Sequence, residues 1–212
     1  MIKALILDMD NTIFPTKTIS DEIFATIEHL MEEHRGNLND EQLAEAKTAL
    51  SRTPFQKVAD EHGFTEEFKT NAIELLKNTT YNKPIKPYKD YEIVESISLP
   101  KFLVTFGFVK LQQSKIDGLG VRSHFKEIFV VDPEISSKTK RDIFVDIMEK
   151  YGYHKDELLA IGDDPESEIK AAHDLGIKTY LYDPESRFKT GTVTYHEQNY
   201  KKLQWLIENQ KE

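Results

Sequence analysis

The sequence predicts an α/β fold, a parallel sheet flanked by helices, with a helical segment inserted after the first strand. Three observations carry that expectation. Short apolar runs recur at IKALIL (2–7), KFLVTF (101–106), EIFVV (127–131), LLAIG (158–162) and IKTYLY (177–182). They are continuous rather than alternating, the pattern of strands buried on both faces. Most are separated by segments of helical periodicity, so successive strands are joined by crossovers and run parallel. One gap breaks this rhythm, because no convincing strand lies between the first run and the second.

Taken in chain order, the first strand stops at two acids, in LILDMDNTIF (5–14). The gap then holds helical patterns near 19–35, 40–50, 54–62 and 65–78, with Asp40 and Thr65 placed to cap two of them. Proline-bearing stretches, FPTKT (14–18) and NKPIKPYK (82–89), flank this region as linkers. The spacing therefore predicts a helical unit over 17–87 that moves on two short hinges, and a sheet domain built from 1–16 and 88–212. Helices are expected over 138–151 and 166–175, a weaker strand at 192–195, and a last helix over 198–209.

Composition narrows the function. A chain of 212 residues suits one compact domain, or a domain carrying a smaller inserted one. Its net charge of −9 repels phosphate backbones and anionic lipid, which argues against nucleic acid or a membrane surface as partner. There is no cysteine, which removes disulfides, thiol catalysis and thiolate zinc sites and fits a reducing cytosol. The N-terminal apolar run is short and ends in acid, unlike a signal peptide. No stretch approaches the ~18 apolar residues of a membrane span. A cytoplasmic location is expected. The seven histidines show no metal-ligand spacing and read as surface or structural groups.

In an open parallel sheet, ligands bind beyond the carboxyl ends of the strands. The residues expected there are Asp8 and Asp10, Thr105 and Gly107, Asp132 and Lys138, then Gly162, Asp163 and Asp164. Converging carboxylates repel, and a divalent cation with a lysine would offset that repulsion. Each signal alone has an ordinary reading. Thr105 alone is a strand-end residue, Lys138 a solvated lysine at a helix start, and GDDPESE a turn whose acids favour a helix N-terminus. Asp132 and Asp164 read as turn groups. Phe14, Phe106 and Phe108 flank these residues and are expected to line the cleft. Their order, each beyond a strand, points to one site.

This order resembles the haloacid dehalogenase superfamily, in its phosphatase-like branch, over nearly the whole chain. Asp8, Asp10 and Thr12 match the family's Asp-x-Asp-x-Thr. Thr105 in LVTFGF matches the second motif, Lys138 in KTKRDIF the third, and Gly162, Asp163 and Glu168 in GDDPESEIKAA the fourth. The run TFGFVKLQQSKIDGLGV resembles Thr-Asn-Gly-Phe…Gln-x-x-Lys-Leu. Phe106 stands where Asn is common, and Glu168 where a second Asp is usual. The resemblance implies a Rossmann-like core with an all-helical cap at 17–87, and a small phosphorylated metabolite as substrate. It implies Asp8 as nucleophile, Asp10 as acid–base, Thr105 and Lys138 as further catalytic groups, and Thr12, Phe106 and Gly107 at the substrate. Mg²⁺ would be held by Asp8, Asp10 through its carbonyl, Asp163 and Glu168. An acid at position 10 favours phosphoryl transfer over dehalogenation. A phosphatase, nucleotidase-like in its opening motif, is the expected activity. A phosphomutase, a pyrophosphatase or a binder of phosphorylated ligands would use the same residues. Oligomeric state is not encoded in these motifs.

Overall fold

The computed structural model describes residues 1–189, 191 and 193–209. Its centre is a six-stranded parallel sheet of β1 (Ala4–Leu7), β2 (Lys101–Phe106), β3 (Glu127–Val131), β4 (Leu158–Gly162), β5 (Lys178–Tyr182) and β6 (Tyr195–Glu197). The strand order is β3-β2-β1-β4-β5-β6. β1 registers on both neighbours, Leu7 opposite Leu103 on one side and Ile161 on the other. β1 and β4 are buried throughout, which explains their unbroken apolar sequence. The weak strand expected at 192–195 forms over Tyr195–Glu197, and Thr192 lies outside the described residues.

Between β1 and β2 the described residues form α1 (Ser20–Glu33), α2 (Asp40–Ala49), α3 (Phe55–Glu61), α4 (Glu66–Asn78) and the short α5 (Tyr91–Ser96). The first four match the expected segments, while α5 lies past the linker and was not expected. Thr65 caps α4, accepting from the Phe68 amide. The cap of α2 is Asn39 rather than Asp40: its side chain accepts from Gln42 N–H while the Gln42 side chain accepts from Asn39 N–H. Asp40 instead occupies the first turn, where its charge suits the helix dipole. The apolar faces of α1–α4 meet in a core of their own, including Ile27, Met31, Val58, Phe68 and Leu76.

The rest of the chain covers the two sheet faces with α6 (Val109–Leu119), α7 (Lys140–Tyr151), α8 (Lys170–Asp174) and α9 (Lys201–Glu208). The helix expected over 166–175 is split, with a π-type turn over Pro165–Ile169 preceding α8. Tyr200, fully buried, stacks on Tyr182 and donates its hydroxyl to the Thr12 carbonyl at 2.7 Å, bracing the turn after β1 from behind. No helix among the described residues is long and apolar enough to cross a membrane.

Candidate active site

The path from β1 to β2 goes to one side of β1, and the path from β3 to β4 crosses to the other. Such a reversal opens a crevice at the carboxyl ends of the central strands. A cavity of about 640 Å³ lies there, lined by Asp8, Asp10, Thr105, Phe106, Gly107, Asp163 and Glu168 among others. The β1–β4 ladder continues up to the site, since Asp8 N–H donates to the Ile161 carbonyl at 3.0 Å. Asp8 is thereby held on rigid backbone.

Asp8, Asp163 and Glu168 are buried, and each brings a carboxylate oxygen within 4.8 Å of the others. Glu168 reaches this point by a local device. Ser167 leaves helical geometry (φ −107, ψ −107), and the Glu168 side chain then folds over Gly162. A Cβ at position 162 would lie 2.0 Å from Glu168 Oε1, so only glycine admits this path. The added methylene of Glu relative to Asp is taken up here. Oε1 accepts from Asp164 N–H at 2.9 Å and Oε2 from Lys140 Nζ at 2.7 Å.

The lysine of the site is Lys140, not Lys138. Lys140 is buried and also donates to Asp8 Oδ1 at 2.8 Å. Lys138 is exposed and pairs with Asp146 on the outer face of α7. The helix explains the difference. Thr139 is the N-cap, so Lys138 precedes the helix, while Lys140 stands three, four and seven residues before the buried Ile143, Phe144 and Ile147. It therefore shares their inward stripe.

Burial pushes the Asp8 carboxyl up to about 7, with the Glu168 and Asp10 charges adding to the effect against the pull of Lys140. Burial likewise pushes Asp163 up to about 8, with Glu168 and Asp8 adding and Arg187 and Arg52 opposing. Burial alone would lower Lys140, but the Asp8 and Glu168 carboxylates outweigh it and hold the ammonium charged. Lys140 and the two arginines on Asp163 do not relieve the three crowded acids, since Asp8 and Asp163 stay raised beside them. A hard divalent cation, which takes oxygen ligands, fits this donor set and would return the acids to their ionised form. Asp8 Oδ2 and Asp163 Oδ1 have no hydrogen-bond partner among the described residues, because Lys140 takes Oδ1 of Asp8 and both arginines take Oδ2 of Asp163.

Asp10 stands outside this trio. Lys115 Nζ donates to both its carboxylate oxygens at 3.0 Å, and Gln112 Nε2 donates to Oδ2 at 3.0 Å. Gln112 Nε2 also lies 2.6 Å from Thr105 Oγ1, so one amide fixes both groups. Gly107 adopts φ 140, open to glycine, and a Cβ there would meet Gln112 at 3.2 Å. Its amide is spent on the Val131 carbonyl at 3.0 Å, so Gly107 offers the site room rather than a donor.

Two expected cleft residues lie elsewhere. Thr12 is fully buried, does not line the cavity, and its hydroxyl has no hydrogen-bond partner among the described residues. Phe14 is fully buried in the main core. Both belong to the tight turn after Asp10, which packs inward under Tyr200. Phe106 and Phe108 do line the cavity. Asp132 and Asp164 are turn groups, accepting from Val109 and Glu134 N–H and from Glu166 N–H respectively.

Sequence reasoning missed Lys140, Arg52 and Arg187, and gave Gln112 and Lys115 no role although the run it matched contains them as Gln-x-x-Lys. Gln112 and Lys115 are three apart on α6, a spacing that puts them on one face. Arg187 donates to Asp163 Oδ2 at 2.8 Å from a turn tied by the buried Asp183, which accepts from Arg187 N–H and Phe188 N–H. Arg52, from the loop after α2, spans Asp163 at 3.3 Å and Glu185 at 2.6 Å.

A parallel sheet with acids and a lysine gathered at its strand ends, and a helical insertion after the first strand, is the arrangement that the sequence resemblance implied for a hydrolase. The chain belongs to the haloacid dehalogenase-like hydrolase family, whose model matches residues 2–176. It is 27% identical over 207 residues to Enolase-phosphatase E1 of Aquifex aeolicus, covering 84% of this chain and 88% of that one. It is 26% identical over 196 residues to Glyceraldehyde 3-phosphate phosphatase of Methanopyrus kandleri, covering 84% and 83%. Among solved structures, the putative HAD-hydrolase YfnB from Bacillus subtilis matches with a TM-score of 0.67 at 17% identity, covering 97% and 98% of the two chains. That likeness speaks to the fold.

Proposed function

We propose that this hydrolase is a Mg²⁺-dependent phosphatase that cleaves a small phosphate monoester through an aspartyl-phosphate at Asp8. The observation that carries this reading is the division of labour between two acids. Asp8 is buried against Lys140 with one oxygen unpartnered, while Asp10, two residues on, is held separately by Lys115 and Gln112. An acid in the second position serves a leaving alcohol, which needs a proton, whereas a halide does not. The phosphatase names of the two relatives agree.

In this reading Asp8 Oδ2 attacks phosphorus and the bond to the alcohol oxygen breaks. The Asp10 carboxyl gives its proton to that oxygen, then takes one from the water that attacks the aspartyl-phosphate. Phosphate leaves and Asp8 is regenerated. Lys140 keeps its charge beside the phosphoryl group as negative charge builds. Asp8, Asp163, Glu168 and the Asp10 carbonyl would hold Mg²⁺, which would neutralise the carboxylates and polarise the phosphoryl oxygens. The insertion acts as a cap. Its Ser51 carbonyl accepts from Thr16 Oγ1 at 2.6 Å and its Arg52 reaches Asp163, so it is seated on the site.

Turnover of p-nitrophenyl phosphate by the purified protein tests the reading. Release of nitrophenol with Mg²⁺, abolished by a chelator and restored by excess Mg²⁺, is expected. Absence of turnover on this ester and on a panel of phosphorylated metabolites would overturn it.

A further inference from the structure

The cavity is larger than one phosphate group requires. At about 640 Å³ it is in the range of pockets that enclose a whole small organic ligand, roughly 300–1,000 Å³. Its two halves differ. The sheet half carries the acids and Lys140. The insertion half carries a continuous apolar wall: Ile23 and Phe24 on α1, Leu50 and Phe55 beside Arg52, and Phe108 and Leu111 facing them from the sheet domain. Phe24 packs against both the main core and the insertion's core, yet keeps part of its surface open.

The charges on the wall leave little for a second anion. Five cationic side chains line the cavity, and four are held by carboxylates at hydrogen-bond distance: Lys140 on Asp8 and Glu168, Lys115 on Asp10, Arg187 on Asp163, and Arg52 on Asp163 and Glu185; the fifth, Lys57, is exposed and lies 3.8 Å from Glu61. Six carboxylates line the same cavity and outnumber these five cations, so a divalent cation leaves the wall with only one net positive charge to meet a phosphate group. The polar groups of the insertion half are few and partly engaged. Ser20 and Ser51 donate to the carbonyls of Lys17 and Thr48, and Gln56 makes a long bond to Glu134, which leaves Thr53 as the hydroxyl with no side-chain bond there among the described residues. A polyol or a nucleobase, which needs several donors and acceptors at once, would regain few of the hydrogen bonds it loses to water there.

We propose that the alcohol half of the substrate is uncharged and largely apolar, an aromatic or branched aliphatic group seated against Phe24, Phe55 and Phe108. This rests on the phosphatase reading and names its substrate class. Calorimetric titration of the protein in Mg²⁺ with benzylphosphonate, methylphosphonate and 2-carboxyethylphosphonate reads the cavity without turnover. Benzylphosphonate is expected to bind at least tenfold more tightly than either of the others, with a more negative heat-capacity change. Phe24→Ser, with Phe24→Leu as the milder variant, should shrink the benzyl-to-methyl ratio. In turnover, kcat/KM should favour benzyl phosphate over glycerol 1-phosphate, two esters with similar alkoxide leaving groups. Equal or tighter binding of 2-carboxyethylphosphonate would overturn the proposal, as would a ratio untouched by both variants. Turnover that prefers glycerol 1-phosphate would sink it while leaving the phosphatase reading standing. Absence of turnover on every ester would remove both.

Discussion

The two halves of the cavity are built on different principles. On the sheet side, buried charges are each fixed by a partner and by strand ends that the ladder holds in place. On the insertion side, apolar groups from α1–α4 border the space, and the polar links to the sheet domain that lie nearest the acids are those of Ser51 and Arg52. On the proposed reading, the bond-breaking chemistry falls to the rigid sheet and substrate choice to the helical layer. A site held by interlocked charges tolerates little change, whereas an apolar wall can be resized with graded effects.

The sharpest way to break that comparison is to move within the charged half. Lys140→Met removes the cation that touches both Asp8 and Glu168, and kcat should fall by about 10²–10³-fold. Lys138→Met, two residues away but on the outer face, should leave kcat within about twofold, as surface changes usually do. Steady-state kinetics on p-nitrophenyl phosphate decides between them, and a larger loss from Lys138→Met would reverse the placement.

Glu168→Asp shortens the acid that folds over Gly162, withdrawing it from Lys140 and the Asp164 amide. The Mg²⁺ concentration needed for half activity should rise about tenfold, the lower end of what supporting groups around a metal contribute. Superimposable Mg²⁺ titrations for mutant and wild type would take Glu168 out of the site.

Removing the metal should expose the repulsion itself. Asp8 and Asp163 sit at about 7 and about 8 in the metal-free protein, above their ordinary value of 3.8. The folded chain therefore holds protons that the unfolded chain has lost, from about pH 4 upward. Stability must then fall as pH rises through that window, with the loss complete above about pH 8. Thermal midpoints measured in chelator should decline between about pH 5 and 8, and the decline should flatten in Mg²⁺. A chelator curve that rises over this range would contradict the assigned burial.

The smallest effect concerns the boundary between the halves. The segment 82–89 is tied to the sheet domain through Ile85 N–H on the Gly118 carbonyl and Tyr88 N–H on the Ile13 carbonyl. If the insertion swings as a lid about 14–18 and 82–89, phosphate with Mg²⁺ should slow amide exchange in both linkers by a few-fold. Unchanged exchange under saturating ligand would make the insertion a fixed wall.

Much of the sheet half was legible in the sequence because strands buried on both faces leave continuous apolar runs, and the residues at and just beyond the end of such a run must lie at the strand's carboxyl end. Asp8, Asp10, Thr105 and Asp163 are found that way, while Glu168, six residues past β4, was reached only through the family resemblance. Lys140 was also legible, since it falls on the stripe of Ile143, Phe144 and Ile147, but motif alignment placed the lysine at 138. Thr12 matched a motif yet serves a buried turn, because spacing records position and not direction. Arg52 and Arg187 left no such trace. They meet Asp163 from 111 and 24 residues away, through loop geometry that no local periodicity encodes.

The central claim is that Asp8 carries the phosphoryl group during turnover. Mixing protein, Mg²⁺ and p-nitrophenyl phosphate, quenching in acid within the first turnover, and mapping the digested chain by mass spectrometry reads this directly. The peptide bearing Asp8 should gain one phosphoryl group, more in Asp10→Asn, where hydrolysis of the intermediate is slowed, and none in Asp8→Asn. Phosphoryl transfer to any other residue, or steady turnover by Asp8→Asn, would contradict it.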